Sequence, residues 1–252
     1  MAVRKIAGLG WRPDTPDWRD RRLALAPPMT LPPSVDLRSK LPPPYRQGQI
    51  GSCTANAIAA AIEFDRKKQN LIDFIPSRLF IYFCERTIEG TVLEDAGAEI
   101  RDGIKAVNQW GAPEEEKWPY VESHFATNPD PVVYIAAKEH LAIEYVRLHA
   151  TILELKTCLA NGYPFVFGFS VYEFFESEEM ACSAMLLLPQ PEEQLVGGHA
   201  VLGCGYDDNK GCFLIRNSWG PDWGEGGYFW MPFPYLTNKD LSDDFWKIST
   251  VS

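Results

Sequence analysis

Between residues 52 and 111 the apolar positions recur at helical spacing. In "SCTANAIAAAIEFDRKKQN" Ile58, Ala61 and Ile62 share a face behind Ser52, a residue suited to cap a helix, and strong helix formers fill the rest. This predicts a long, largely buried helix. "SRLFIYFCERTI" predicts a second helix capped by Ser77 after Pro76, and "GAEIRDGIKAVNQWG" a third, closed by Gly111. The chain is thus helix-rich to about residue 142. Beyond it the period shortens: "YPFVFGFSVYEFF" is aromatic and β-branched, "HAVLGCGYD" and "CFLIRNSWG" flank "DDNKG" as a hairpin, and "GGYFWMP" follows. A helix-rich half before a β-rich half implies two packed subdomains with a cleft between them. The proline-studded "APPMTLPPSVDLRSKLPPPYRQG" has no helical period and reads as an extended segment laid over other structure.

Composition narrows the function classes. With 252 residues, 46% of them hydrophobic, the chain can bury a substantial core. No run is long and apolar enough to span a bilayer, so the expectation is a soluble protein. The start "MAVRKIAGLGWRPDTPDWRD" lacks a signal-peptide core. Localisation stays open between the cytoplasm and export by a route not visible here. A net charge of −10 without clustered Lys and Arg argues against nucleic acid. The six cysteines form no C-x-x-C pair, and the four histidines no H-x-x-x-H arrangement, so neither a metal nor any other cofactor is expected. His124, His140 and His149 have no polar constellation around them and read as surface or packing residues.

One cysteine stands out by position. Cys53 falls in the first turn of the helix begun by Ser52, where unpaired amide N–H groups and the positive end of the dipole favour a thiolate. Gln47, six residues earlier across a glycine-bracketed loop, offers a side-chain amide beside the Cys53 N–H. Cysteine is also among the most buried residue types, so inert packing is the alternative for this residue taken alone. Downstream, "VGGHAVLGCGYDD" sets His199 after two glycines at the head of a strand, and "LIRNSWGPDWGEGGYFW" offers Asn217 to hold its imidazole. Nucleophile, base and orienting amide are then all present, far apart in sequence.

These pieces, "QGQIGSC", "GGHAVLGCGY" and "IRNSWGPDWGEGGYFW", resemble the papain-like cysteine peptidases of the papain and cathepsin family, and "LPPSVDLR" resembles the start of that family's mature chain. The likeness covers roughly residues 31 to 232. It implies an α+β papain-like fold, with a helical subdomain and a β-barrel-like subdomain either side of the active-site cleft. It also implies peptide-bond hydrolysis through an acyl-enzyme, with a peptide or protein as substrate. By similarity Cys53 is the nucleophile, His199 its imidazolium partner, Asn217 the orienting residue and Gln47 the oxyanion donor. Trp219 would cover the Asn–His bond and Trp223 wall the cleft. Gly97, in "EDAGAEIRDG", would bind substrate backbone, and Gly168 and Gly197 would leave a roomy specificity pocket.

The departures are informative. Ile50 and Thr54 stand where the family carries a cysteine and an aromatic, so the usual disulfide framework is expected to be missing. Cys204 and Cys212 flank the hairpin turn and are expected as two reduced core thiols. The family's long helical propeptide has no counterpart. Residues 1–30 read as an N-terminal extension before a catalytic domain at 31–252. Within that domain the helix-rich part is about 46–142, and the β-rich part about 143–252 plus the crossing segment 31–45. For "GLGWRPDTPDWRD" two readings stand: a strap packed on the body through Trp11 and Trp18, or a short segment that blocks the cleft. The acidic "EFFESEEMACS" reads as a solvated face, or as a cleft rim that favours basic substrate residues. Two other functions use the same apparatus: isopeptide cleavage or transpeptidation, and a catalytically silent binding module.

Overall fold

The computed structural model describes residues 8–22 and 30–251; the basic start and the first prolines of the extended segment lie outside the described residues. The elements run β1 (Ser34–Asp36), α1 (Cys53–Lys68), α2 (Arg78–Glu89), α3 (Ile100–Trp110), α4 (Pro131–Ala137), β2 (Ala142–Arg147), α5 (Ile152–Ala160), β3 (Phe165–Tyr172), α6 (Glu178–Ser183), β4 (Leu195–Asp207), β5 (Cys212–Arg216), β6 (Tyr228–Pro232), α7 (Phe233–Thr237) and β7 (Ser242–Val251). Helices α1 to α3 fall where the apolar period places them. Ser77 caps α2 by accepting the Phe80 N–H, and Gly90 and Gly111 end α2 and α3 with positive φ. Ser52 differs: its hydroxyl makes no cap bond but meets Tyr120 Oη at 2.5 Å and accepts from Asn56 Nδ2 at 3.1 Å. The helix start is therefore held by the Asn56 side chain of the same helix and by Tyr120 from outside it, and not by a hydroxyl-to-backbone cap.

Helix α1 is buried at 14 of its 16 positions and packs on β4, β7, α2 and α3. Five alanines, Ala55, Ala57, Ala59, Ala60 and Ala61, let these neighbours approach closely. The position after the nucleophile holds Thr54, whose hydroxyl donates to Glu85 Oε1 at 2.6 Å inside the helical layer. Burial raises the Glu85 carboxyl far above the carboxylate range, so this contact joins two neutral groups.

The strands form a seven-stranded antiparallel sheet in the order β2-β7-β3-β4-β5-β6. β4 pairs β3 over Leu195–Gly203, and β1 takes over along the same strand at Gly205–Asp207. Phe165, Phe167, Phe169 and Phe245 pack on this sheet, with Phe167 and Phe245 stacked at 5.1 Å. The expected β-barrel does not form. Among the described residues no ladder joins β2 to β6, and the sheet stays open. Chain segments cover both edges: the Arg147 N–H donates to the Arg21 carbonyl beside β2, and Trp230 exchanges backbone bonds with Ala184 and Leu186 beside β6. These bonds occupy part of each edge with segments other than the opposite edge strand. All six cysteines are free thiols, Cys204 and Cys212 included.

Gly103 of α3 marks how tightly α1, α2 and α3 meet. A Cβ there would lie 2.5 Å from both Glu85 Oε2 and Ile58 Cδ1. Gly103→Ala is expected to destabilise the fold by about 1–3 kcal/mol, read as a lowered midpoint in urea unfolding. An unchanged midpoint would mean that these helices have slack at this crossing.

Candidate active site

Packing α1 on β4 brings the helix start against the strand that carries His199. The Cys53 sulfur is fully buried, and the nearby backbone N–H groups of Ala200, Gly10 and Thr54 favour its thiolate. Burial nevertheless pushes its thiol up to about 11. The helix end and three N–H donors favour the thiolate, as the sequence implied, but in the covered state desolvation outweighs them. Cys158, fully buried without such backbone donors, is pushed to about 12.

His199 Nε2 lies 2.8 Å from Asn217 Oδ1. That oxygen also accepts the Ser218 backbone N–H at 2.8 Å, which identifies it as the acceptor end of the amide. Nε2 therefore carries the proton in the neutral ring, and Nδ1 keeps its lone pair. Nδ1 is buried with no hydrogen-bond partner among the described residues. It is the group left to exchange a proton with a thiol. Burial lowers the imidazole to about 4, against the Asn217 bond that raises it. Aromatic rings close around it: Trp219 at 5.2 Å, Phe169 at 5.8 Å and Phe175 at 6.2 Å. Trp223 packs on Phe175 and Trp219 in the same box.

Gln47 is fully buried and fixed at both ends. Its Oε1 accepts the Ser218 hydroxyl at 2.8 Å, which leaves Nε2 as a donor, and Nε2 reaches the carbonyls of Ile50 at 2.8 Å and Gly8 at 2.7 Å. Ser218 thus aligns both the Gln47 amide and the Asn217 amide. It was not singled out in the sequence, although adjacency to Asn217 was the available signal. Phe175 was missed too, because it sits inside an acidic run whose charges suggested a solvated face.

The N-terminal segment crosses this site. The Gly10 carbonyl accepts the Ala98 N–H at 2.8 Å, Trp11 N–H donates to the Gly198 carbonyl at 3.0 Å, and Arg12 N–H to the Ala98 carbonyl at 3.1 Å. The contact depends on glycine facing glycine: a Cβ on Gly10 would fall 1.8 Å from the Gly51 carbonyl oxygen, and one on Gly97 1.9 Å from that of Gly10. The Trp11 indole fills the space above Gly168 and Gly198, and Leu9 covers Gly197. Gly97, Gly168 and Gly197 thus all meet the segment, with Gly198 an unforeseen fourth. Trp18 does not share in the packing: it is 93% exposed while Trp11 is 8% exposed. Among the described residues no group of His, Cys, Asp and Glu is placed to hold a metal ion, and no helix is long and apolar enough to cross a membrane.

The comparisons with known proteins agree with this arrangement. The model of the papain family cysteine proteases matches residues 31–235. An uncharacterized peptidase C1-like protein of Acanthamoeba polyphaga mimivirus is 42% identical over 215 residues, which cover 82% of this chain and 69% of the viral protein. The crystal structure of xylellain, a cysteine protease from Xylella fastidiosa, superposes with a TM-score of 0.91 at 45% identity, over 100% of this chain and 99% of that one. Digestive procathepsin L 3 of the Tenebrio molitor larval midgut, 19% identical with a TM-score of 0.69 over 92% of this chain and 75% of that one, shares the fold. A buried cysteine at a helix start, a histidine held by an asparagine and a family match spanning both layers lead to one conclusion: the chain belongs to the papain family of cysteine proteases and is a cysteine peptidase.

Proposed function

We propose that Cys53, His199, Asn217 and Gln47 carry the peptidase reaction, and that residues 8–22, part of an extension before the catalytic domain, hold the enzyme latent by lying in its cleft. The observation that carries the first part is the 2.8 Å bond from His199 Nε2 to Asn217 Oδ1, which leaves Nδ1 unpartnered and able to accept a proton. Nδ1 takes the Cys53 proton as the sulfur attacks the substrate carbonyl carbon. The oxyanion forms between Gln47 Nε2 and the Cys53 N–H, a first-turn amide with no acceptor inside the helix. The imidazolium then protonates the leaving amine. Water, activated by the neutral imidazole, cleaves the thioester to a carboxylic acid and restores the thiol. Trp219 and Phe175 exclude water from the His–Asn bond, which strengthens it.

Latency is supported by what the segment touches. The Gly8 carbonyl already occupies the Gln47 donor, Gly10 comes close enough to Cys53 for its N–H to act on the thiol, and Trp11 fills the pocket over Gly168. Covered in this way, Cys53 and His199 are both fully buried and both neutral between pH values of about 4 and 11. Opening the cleft rehydrates both groups, which lowers the thiol and raises the imidazole, and the ion pair becomes accessible.

The nucleophile is tested with a thiol-directed epoxide and peptide mapping. The label is expected at Cys53, and Cys53→Ala is expected to abolish both labelling and turnover of a casein substrate; a label on another residue would refute the assignment.

Gly10→Ala tests latency without altering the body. Its Cβ cannot share space with the Gly51 carbonyl, so the segment should lift, and kcat/KM on a dipeptidyl-coumarin is expected to rise about tenfold or more. An unchanged or lower rate in a folded variant would count against latency.

The pH dependence of iodoacetamide alkylation supplies a third check. Because the thiol is raised, alkylation at Cys53, read by peptide mapping apart from the exposed Cys182, should stay slow at neutral pH and increase up to a pH of about 11, whereas in Gly10→Ala the increase should shift to lower pH. Coincident profiles would show that the segment does not control the thiol.

A further inference from the structure

Past Trp11 the segment makes a second attachment, and it is ionic. Asp14 and Asp20 enter a cluster of donors on the body. The Asp14 carboxylate accepts the Arg101 backbone N–H at 3.0 Å and Trp246 Nε1 at 2.9 Å. Asp20 receives the Arg101 guanidinium through two bonds of 2.9 Å, and Arg147 Nη1 at 3.1 Å. Side-chain exposure is 4% for Arg101 and 10% for Arg147, with Asp14 at 0% and Asp20 at 7%.

The two arginines are not equivalent once the segment leaves. Arg147 keeps Asp244 at 2.6 Å and Asp243 at 3.2 Å, both on the body. The hydrogen bonds of Arg101 go to Asp14, Asp20 and the Thr15 carbonyl, all on the segment. Its neighbour Asp102 is engaged with Lys105 on the same helix. Departure of the segment thus takes away the carboxylates that hydrogen-bond the recessed Arg101 guanidinium, next to a second arginine and an indole N–H that have each lost an acceptor, and leaves Glu99, released from Thr15, as the body carboxylate an incoming acid must outcompete. A guanidinium held in place by packing and stripped of its partner binds a carboxylate by paired, charge-assisted bonds.

We propose that Arg101, Arg147 and Trp246 form a carboxylate-binding site beyond the Trp11 pocket, which Asp14 and Asp20 fill in the latent enzyme and an acidic stretch of a protein substrate fills in the open one. The inference rests on the latency reading above. It assigns the enzyme a substrate class, chains with paired Asp or Glu some residues from the scissile bond, that the Cys–His–Asn set alone does not select. Asp14 lies six residues from Gly8, whose carbonyl sits at the Gln47 donor, so the site recognises residues well removed from the cleaved bond.

The test is binding, which needs no turnover. Full-length Cys53→Ala carrying Asp14→Asn and Asp20→Asn, its fold checked by thermal unfolding, is titrated with fluorescein-labelled twelve-residue peptides. These hold an Asp-Asp pair toward the N-terminal end, toward the C-terminal end, or Asn-Asn in its place. One acidic peptide is expected to bind about tenfold tighter than the Asn peptide. That advantage should disappear at 0.5 M NaCl, a concentration chosen to screen charge (on the order of 4 Å Debye length), and on adding Arg101→Gln. Equal affinities of all three peptides would overturn the site. If the asparagine variant does not fold, Gly10→Ala with Cys53→Ala takes its place, with the same expected and overturning results. An acidic preference in a chain whose Cys53 takes no epoxide label would leave the site standing and refute the catalytic assignment instead.

Discussion

The close packing of α1 on β4 is the constraint from which the rest follows. The sulfur and the imidazole come from residues 146 positions apart, as the numbers of Cys53 and His199 show, and only the helix–strand contact brings them together. Alanines along α1 allow that approach, and the effect of the Ala200 N–H on the Cys53 thiol is its local signature. Bulkier residues on that face would separate the two layers. The cost would be the alignment of the site before the stability of the fold, because proton transfer depends on fractions of an ångström.

A second layer of control is polar. Ser218 gives its hydroxyl to Gln47 Oε1 and its backbone N–H to Asn217 Oδ1. One residue therefore decides which end of each amide points inward: the Gln47 donor toward the Gly8 and Ile50 carbonyls, the Asn217 acceptor toward the imidazole. Buried amides with both ends specified do not flip, since flipping would bury unpaired groups. The aromatic box of Phe169, Phe175, Trp219 and Trp223 keeps water from competing for these bonds.

On the latency proposed above, the N-terminal segment would act on this apparatus mainly through water. Its Gly10 N–H favours the thiolate, yet burial outweighs that contribution and the thiol is raised. Desolvation of a charge exceeds the gain from a few neutral dipoles, so covering the pair would silence it without distorting it. Its anchorage is divided between glycine-on-glycine backbone contact at one end and buried carboxylate–arginine bonds at the other. The two ends use different physics, and loosening either one frees a different part of the body.

Much of this was determined by the sequence alone. Helical period located α1, α2 and α3, and three separated motifs singled out Cys53, His199, Asn217 and Gln47 as candidates, because residue types and local spacing are encoded within short windows. Other features were decided only by tertiary structure. The sheet stays open because segments distant in sequence cover its edges at Arg147 and Trp230. Thr54 answers the absent aromatic by bonding Glu85 from another helix. Phe175, hidden in an acidic run, turns inward because the aromatic box accepts its ring. The thiol is raised where the helix end alone would lower it, since burial is a property of what covers a residue and not of its neighbours in the chain. For the same reason "GLGWRPDTPDWRD" was legible as a strap or a plug but not as one of the two: which surface it covers depends on Gly51, Gly97, Gly168 and Arg101, which meet only in the folded protein.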